Sequence, residues 1–325
     1  MFYYLIIGIT LFVLILIVIS LRPLRIKASV EPNPIFRYDI AIDRINEMLE
    51  AEKQIPDLNP KCKSRLFSHG EKTKKAIVFL HGFTSCPEQF VKLGGEFFER
   101  GYNVFIPRLP KHGFMDRKGS ALKTLTAQEL ANFGTDIVDI AQGLGDHVTV
   151  SGLSGGGSLL TWLAQERTDI EIAVPISPFL GISFIPARLT RLATKLLLTM
   201  PDFFMWWDPA TKLHNPFSSD FQYLGHHTHA LAGFLSLSIA AMDKLRTKPP
   251  AAESLILISN ASDNSINMEM VSEYLQLLMQ QTNYRVETYQ FPAELEQPHD
   301  IITPGRRDNN VDLIYPKLID LLSKE

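Results

Sequence analysis

Ser154 stands at the centre of HVTVSGLSGGGSLLTWLAQ, residues 147–165, between a β-branched run and an apolar, helix-forming run. Residues 152–156, Gly-Leu-Ser-Gly-Gly, fit G-x-S-x-G directly after a predicted strand and directly before a predicted helix. A sharp strand-to-helix turn forces the serine into strained backbone angles and leaves almost no room beside it. Gly152 and Gly156 supply that room because they lack a Cβ. The helix that starts there brings unpaired N–H groups and partial positive charge to any oxyanion that develops. A glycine-rich turn without chemistry fits the five residues too, so the partners decide.

A serine hydroxyl is a weak nucleophile until a base takes its proton, and that base needs a third group to orient it. In a strand–turn–helix site the chain order is Ser, then Asp or Glu, then His. Of the nine histidines only His299, in ELEQPHDIITP, lies beyond the last predicted strand, with Pro298 and Pro304 confining its loop. Loops that follow strands are where catalytic groups collect in open α/β sheets, whereas an ordinary loop histidine is a solvated surface residue. Asp263, in LILISNASDNSIN, follows the 254–259 strand and takes the orienting role over its plainer use as a turn or cap aspartate. Glu253 precedes that strand, at the wrong end of the sheet, and Asp300 adjoins His299 too closely to orient it. The backbone N–H groups of Phe83, in LHGFTSCPEQF, and of Gly155 are the expected oxyanion donors.

The elements around these residues alternate. Apolar β-rich runs at 76–81, 103–107, 147–152, 171–177, 254–259 and 285–291 interleave with helical segments at 87–100, 126–142, 154–166, 267–281 and 309–323. That alternation is the pattern of βαβ units around a mostly parallel sheet flanked by helices. The stretch from Pro178 to about Leu245 breaks the rhythm and is rich in large apolar side chains, as in ISFIPARLTRLATKLLLTMPDFFMWWDP. It reads as a helical cap inserted after a central strand.

Upstream, Phe2 to Leu21 (FYYLIIGITLFVLILIVISL) carries no charged side chain and has the ~20 residues a helix needs to cross a bilayer. No basic start and no clear cleavage site mark it as a secretory signal, so it reads as a retained anchor. Arg22, Arg25 and Lys27 follow directly, and the positive-inside rule puts that flank, and the bulk of the chain, on the cytoplasmic side. The expected organisation is an anchor over 1–21, a juxtamembrane linker with an amphipathic helix over 22–75, and a catalytic domain over 76–325 with its cap at about 178–245.

The segments HGFTSCPEQFVKLGGEFFERGYNVFIPRLPKHG, GLSGGG, SDNSIN and PHDIIT, taken in order, resemble the α/β-hydrolase superfamily, and within it bacterial carboxylesterases and monoacylglycerol lipases. The likeness covers roughly residues 75–323. It implies the α/β-hydrolase fold, a nucleophile at Ser154, an acid at Asp263, a base at His299 and oxyanion N–H groups from Phe83 and Gly155. The motifs are far less specific for substrate, for which an acyl ester or lipid is the expectation. The residue after the nucleophile, often larger in these enzymes, is Gly155 here, and the cap is longer and more aromatic than in compact carboxylesterases. His112 in PKHG matches a G-H-G-like loop feature of these enzymes and is read as structural.

The remaining features narrow the reading. The net charge of −3, with scattered basic residues, excludes a nucleic-acid partner. His226 to His229 (HHTH) have no acidic cluster beside them and are not read as a metal site; no cofactor is called for. Cys62 and Cys86 stand at no metal or redox spacing and read as two free thiols in a reducing compartment, a disulfide being the alternative. Leu180, Phe184, Leu197, Phe203, Trp206 and Trp207 are candidates to line an acyl pocket or touch the bilayer, against plain packing in the cap. Nothing in the sequence bears on oligomeric state. The expected function is a membrane-anchored serine hydrolase of short- or medium-chain acyl esters or monoacylglycerol-like lipids. The alternatives are an acyltransferase or thioesterase using the same acyl-enzyme, and an inactive fold that binds a lipid or a partner.

Overall fold

The computed structural model of the chain describes residues 2–21, 24, 26, 29–210, 219–306 and 309–324. The strands are β1 (Arg65–Phe67), β2 (Thr73–Leu80), β3 (Asn103–Ile106), β4 (Gly145–Leu153), β5 (Ile172–Ile176), β6 (Phe204–Trp206), β7 (Gly225–His227), β8 (Ser254–Asn260) and β9 (Arg285–Phe291). The helices are α1 (Phe2–Leu21), α2 (Tyr38–Lys53), α3 (Val91–Phe98), α4 (Ala127–Ala141), α5 (Gly155–Glu166), α6 (Ala187–Thr199), α7 (Thr228–Leu245), α8 (Met268–Met279) and α9 (Val311–Leu322). Seven strands form one sheet in the order β1-β3-β2-β4-β5-β8-β9. All neighbours are parallel except β1 against β3.

Alternation within the central strands builds a core on each face of the sheet. Ala76, Val78 and Leu80 of β2 point into one apolar cluster, with side chains from α4, α5, α7 and α8. Ile77 and Phe79 point into the other, with α3 and α9. Burial on both faces is what a strand such as AIVFL needs, since successive side chains alternate sides and none of its five is polar. Helix α2 adds Ala41 and Ile45, both fully buried, to the first cluster, so the amphipathic helix expected in the linker is packed onto the domain.

The interval 178–245 divides into two kinds of structure. Helix α7 packs on α5, and most of its side chains are buried; it is the crossover helix between β5 and β8. The segment standing over the sheet is therefore shorter than the sequence pattern suggests. It holds α6 and the antiparallel hairpin β6–β7, in which Met205 pairs with His226. Apolar runs alone do not separate a buried crossover helix from a cap, and that is why the boundary fell late. Edge strand β1 also went unseen, three residues being too short for a period-2 signal.

The cysteines differ from expectation. Cys62 and Cys86 form a disulfide with a Cα–Cα distance of 5.2 Å, and both are buried against Phe221. They meet because the turn at Pro60–Cys62 packs against the short helical turn Pro87–Phe90 that follows the loop after β2. A separation of 24 residues carries no local cue to that contact.

Helix α1 is 20 residues long, without a charged side chain, and runs beside α6. Its described side chains face outward, Tyr3 and Tyr4 among them. Several of its side chains lie outside the described ones, and among the described residues no helix is long and apolar enough to cross a membrane. The basic flank of Arg22, Arg25 and Lys27 also lies outside the described residues.

Candidate active site

Strand β4 ends at Leu153 and α5 begins at Gly155, so the whole reversal falls on Ser154. Its φ of 54° and ψ of −113° lie in a region costing a non-glycine residue about 1–3 kcal/mol. Three backbone hydrogen bonds hold it there. The Ser154 N–H donates to the Ile176 carbonyl at 3.0 Å, and the Ser154 carbonyl accepts from Ser158 N at 2.8 Å and Phe179 N at 3.1 Å. The glycines act as expected: a Cβ on Gly152 would meet the Gly156 carbonyl at 2.5 Å, and one on Gly156 would fall on the end of β2 at Leu80.

Asp263 and His299 are brought together from separate loops. Asp263 follows β8, His299 follows β9, and His299 Nδ1 lies 2.6 Å from Asp263 Oδ2. The carboxylate side chain is fully buried, and about a fifth of the imidazole is exposed, at 21%. Asp263 Oδ1 accepts from Ser265 N at 2.9 Å. The last residue of β8, Asn260, reaches across to donate to the carbonyls of Gln297 and Pro298 at 2.9 and 3.0 Å, which pins the His299 loop to the neighbouring strand. Because β4, β5, β8 and β9 are successive parallel neighbours, Ser154, Asp263 and His299 all stand at the carboxyl edge of the sheet.

Electrostatics follow from the pairing. Burial alone would lower the His299 pKa, but the charge of Asp263 and its hydrogen bond, with Asp300 adding to them, carry it above the ordinary imidazole value. Burial would raise Asp263; the adjacent His299, the hydrogen bond between them and the Ser265 N–H outweigh it, and the carboxyl falls below its usual range.

The loop after β2 lies directly against the Ser154 turn. A Cβ placed on Gly155 would be 2.7 Å from the Phe83 Cβ and 2.8 Å from the Phe83 nitrogen. Only glycine allows this approach, so the departure at position 155 makes room for the Phe83 amide. The preceding peptide is held in plane. Leu109 N donates to His81 Nε2 at 3.0 Å, which leaves the proton on Nδ1, and Nδ1 donates to the Gly82 carbonyl at 3.0 Å. Ser85 N donates to the same carbonyl at 3.0 Å. A trans peptide points its N–H opposite its C=O, so fixing Gly82 O also fixes the direction of the Phe83 N–H.

The cap closes over this loop through Trp207, one of the cap candidates, and through Thr84 and Tyr223, which the sequence did not single out. Trp207 Nε1 donates to Thr84 Oγ1 at 3.0 Å, and Tyr223 N donates to the Thr84 carbonyl at 2.8 Å. The Phe83 ring lies among Phe234, Trp207, His226 and His112, with centroids 4.9–6.3 Å away. Burial holds both His226 and His112 at a pKa of about 4, so both are neutral. Of the cap candidates, Trp207 reaches the loop and Trp206 packs on Phe204. Leu180 and Leu197 join the core on the α7 side, while Phe184 (80% exposed) and Phe203 (43%) face out. In HHTH, the His226 ring lies tilted against Trp207 with centroids 4.1 Å apart, His227 Nδ1 pairs with Asp202 at 2.6 Å, and His229 Nε2 lies 2.8 Å from the Met200 carbonyl. These rings turn to different partners.

The model of the Alpha/beta hydrolase family matches residues 77–302. Among curated proteins the chain is similar to the thermostable monoacylglycerol lipase of Bacillus sp. (strain H-257), 29% identical over 128 residues. That match covers 38% of this chain and 48% of the lipase, so the chain spans about half the length of the curated relative it matches. Among solved structures it is similar to one from the metagenome-derived lipolytic enzymes LipS and LipT, with a TM-score of 0.64 and 19% identity over 82% of this chain and 100% of that one. It is also similar to the monoacylglycerol lipase of Paleococcus ferrophilus, with a TM-score of 0.58 and 16% identity over 80% and 97% of the two chains. At these identities the structural likeness speaks for the fold.

Proposed function

The chain belongs to the α/β-hydrolase family, and on that premise we propose that it is a serine hydrolase of carboxylic esters, working through Ser154, His299 and Asp263. The observation that carries the reading is the His299–Asp263 pair at 2.6 Å, on the same sheet edge as a serine held at φ 54°. Ser154 Oγ attacks the ester carbonyl carbon as its proton passes to His299 Nε2, while Asp263 keeps Nδ1 protonated and stabilises the imidazolium. The N–H groups of Phe83 and Gly155 receive the oxyanion. Collapse of the tetrahedral intermediate expels the alcohol, which takes the proton from His299 and leaves an acyl-Ser154. Water, deprotonated by the same imidazole, then releases the carboxylic acid.

The substrates are short- or medium-chain acyl esters or monoacylglycerol-like lipids, in keeping with the lipase relatives and with the aromatic residues around Phe83. Helix α1 is the membrane anchor. Twenty residues at ~1.5 Å each give ~30 Å, the thickness of the hydrocarbon layer, and the helix carries no charge to bury. The segment over the sheet also carries exposed apolar residues, Phe184 and Phe203 among them, and its helix α6 runs beside α1.

The test is hydrolysis of p-nitrophenyl esters across chain lengths, together with labelling by a fluorophosphonate. Both are expected in the native chain and lost in Ser154→Ala. Labelling that survives Ser154→Ala would reject the nucleophile, and dominant transfer to an added alcohol over hydrolysis would make the protein an acyltransferase.

A further inference from the structure

Asp300, next in sequence to the base, is a buried carboxylate whose work lies elsewhere. Its Oδ2 accepts from Gln89 Nε2 at 3.0 Å, from Gln222 Nε2 at 2.8 Å and from Thr303 Oγ1 at 2.7 Å. Its Oδ1 accepts from the backbone N–H groups of Thr303 and Ile302 at 3.0 and 3.3 Å. Gln89 is 2% exposed, and its Oε1 in turn accepts from Gly82 N at 2.7 Å. The amide of Gln89 has two ends, and a carboxylate can only accept. Asp300 therefore demands Nε2 on its side and leaves Oε1 for Gly82, so the orientation of this amide is unique. Gln222 belongs to the segment over the sheet, and its neighbour Tyr223 holds Thr84.

We propose that Asp300 and Gln89 are positioning residues: the buried carboxylate, through the Gln89 amide, fixes the Gly82 N–H, and with it the turn that aims the Phe83 amide at the oxyanion. By the same oxygens Asp300 ties the base's loop and the segment carrying Gln222 to that turn. The inference rests on the reading of Ser154 as nucleophile and of Phe83 N as oxyanion donor. It is separable from that reading because the Gly82 hydrogen bond exists whether or not an ester is cleaved. The work is done on the turn and not on the imidazole, whose orientation belongs to Asp263.

The decisive experiment is a polarity swap in the full chain, with kcat and KM measured on a p-nitrophenyl ester. Gln89→Glu sets two carboxylates face to face and is expected to lower kcat about 30-fold, part of the ~10²–10³ that loss of an oxyanion donor costs, with KM within about 3-fold. Asp300→Asn in the Gln89→Glu background gives the new carboxylate an N–H to accept while leaving it an oxygen for Gly82. The double variant is expected to recover at least about 10-fold of the lost kcat. Gln89→Met, close in size and without polar atoms, should also lose kcat, with a lower thermal midpoint because the Gly82 N–H and the Asp300 carboxylate each lose a buried partner, and it serves if the charged variants fail to fold. Asp300→Asn alone should move the acid limb of the pH profile downward, because it removes a charge beside His299, whereas Gln89→Met should leave that limb in place. Wild-type kcat in Gln89→Met, or a double variant no better than Gln89→Glu, overturns the proposal. If the native chain hydrolyses no ester, the catalytic reading fails instead. Hydrogen exchange at the Gly82 amide then decides the relay: faster in Gln89→Met supports it, and unchanged overturns it.

Discussion

The Phe83 amide nitrogen occupies the space that a side chain on Gly155 would need, 2.8 Å from where its Cβ would be. Two segments 72 positions apart in sequence thus meet with one hydrogen atom's worth of room. The first peptide of α5 and the loop after β2 have a fixed relative position as a result, which is what a two-donor oxyanion site requires.

Gly155→Ala should therefore act on the transition state. The new methyl forces the Phe83 turn outward, and kcat is expected to fall by about 10²-fold, the scale set by loss of one donor. KM should change little, because the ground-state carbonyl depends less on that N–H. Overpacking should also cost about 1–3 kcal/mol of stability. Steady-state kinetics and a thermal melt on the same sample separate the two effects, and an unchanged kcat would place the oxyanion donors elsewhere.

The His299–Asp263 pair makes a prediction about pH with a definite sign. The base works only when neutral, and its pKa lies above the ordinary imidazole value. Activity should therefore begin to fall at a higher pH on acidification than an unperturbed histidine, with its pKa of ~6.5, would give. Asp263→Asn removes the charge that holds the proton on, so the acid limb of kcat/KM should move to lower pH while kcat drops by up to ~10⁴-fold as the imidazole loses its correct tautomer. A limb that stays where it was would mean that Asp263 does not face the working base.

The disulfide and the basic residues that follow α1 make opposite demands. Arg22, Arg25 and Lys27 favour a cytoplasmic domain, whereas a disulfide between two buried cysteines belongs to an oxidising compartment. Three charges bias insertion without fixing it, and the state of the cysteines in cells decides between the two. With the disulfide formed, the cysteines should resist a maleimide under denaturing conditions until a reductant is added; labelling without reductant would instead place the domain in a reducing compartment, as the basic flank suggests. Closing a loop with a separation of 24 residues is worth about 3 kcal/mol in the chain-entropy account. Replacing both cysteines by serine should lower stability on that scale.

Much of the candidate site is legible in the sequence, for a physical reason. The serine turn announces itself because steric crowding permits few residue types, and the loops of Asp263 and His299 because strands with unbroken apolar runs fix where the sheet's carboxyl edge must be. The bonds of Asp300 to Gln89 and Gln222 join positions 211 and 78 residues apart, and no spacing rule reaches that far. The pairing of Cys62 with Cys86 was hidden for the same reason. Trp207 was picked out with its aromatic neighbours as one patch. Which of them faces the loop depends on the β6–β7 hairpin, whose three-residue strands leave no pattern to read.

Trp207 offers the sharpest test of how the cap serves the site. Thr84 is β-branched and held at φ 67°, a conformation such residues avoid, and it stays there with Trp207 Nε1 on its hydroxyl and Tyr223 N on its carbonyl. Trp207→Phe keeps an aromatic ring but removes the N–H. A neutral hydrogen bond nets about 0.5–1.5 kcal/mol, so kcat should fall about 2- to 10-fold at every chain length. Trp207→Ala removes the ring too and should change the ranking among acyl chains as well as the rate, if the ring borders the substrate. A Trp207→Ala profile parallel to that of Trp207→Phe would confine the residue to supporting Thr84, and wild-type rates in both would show that the cap leaves the oxyanion turn to hold itself.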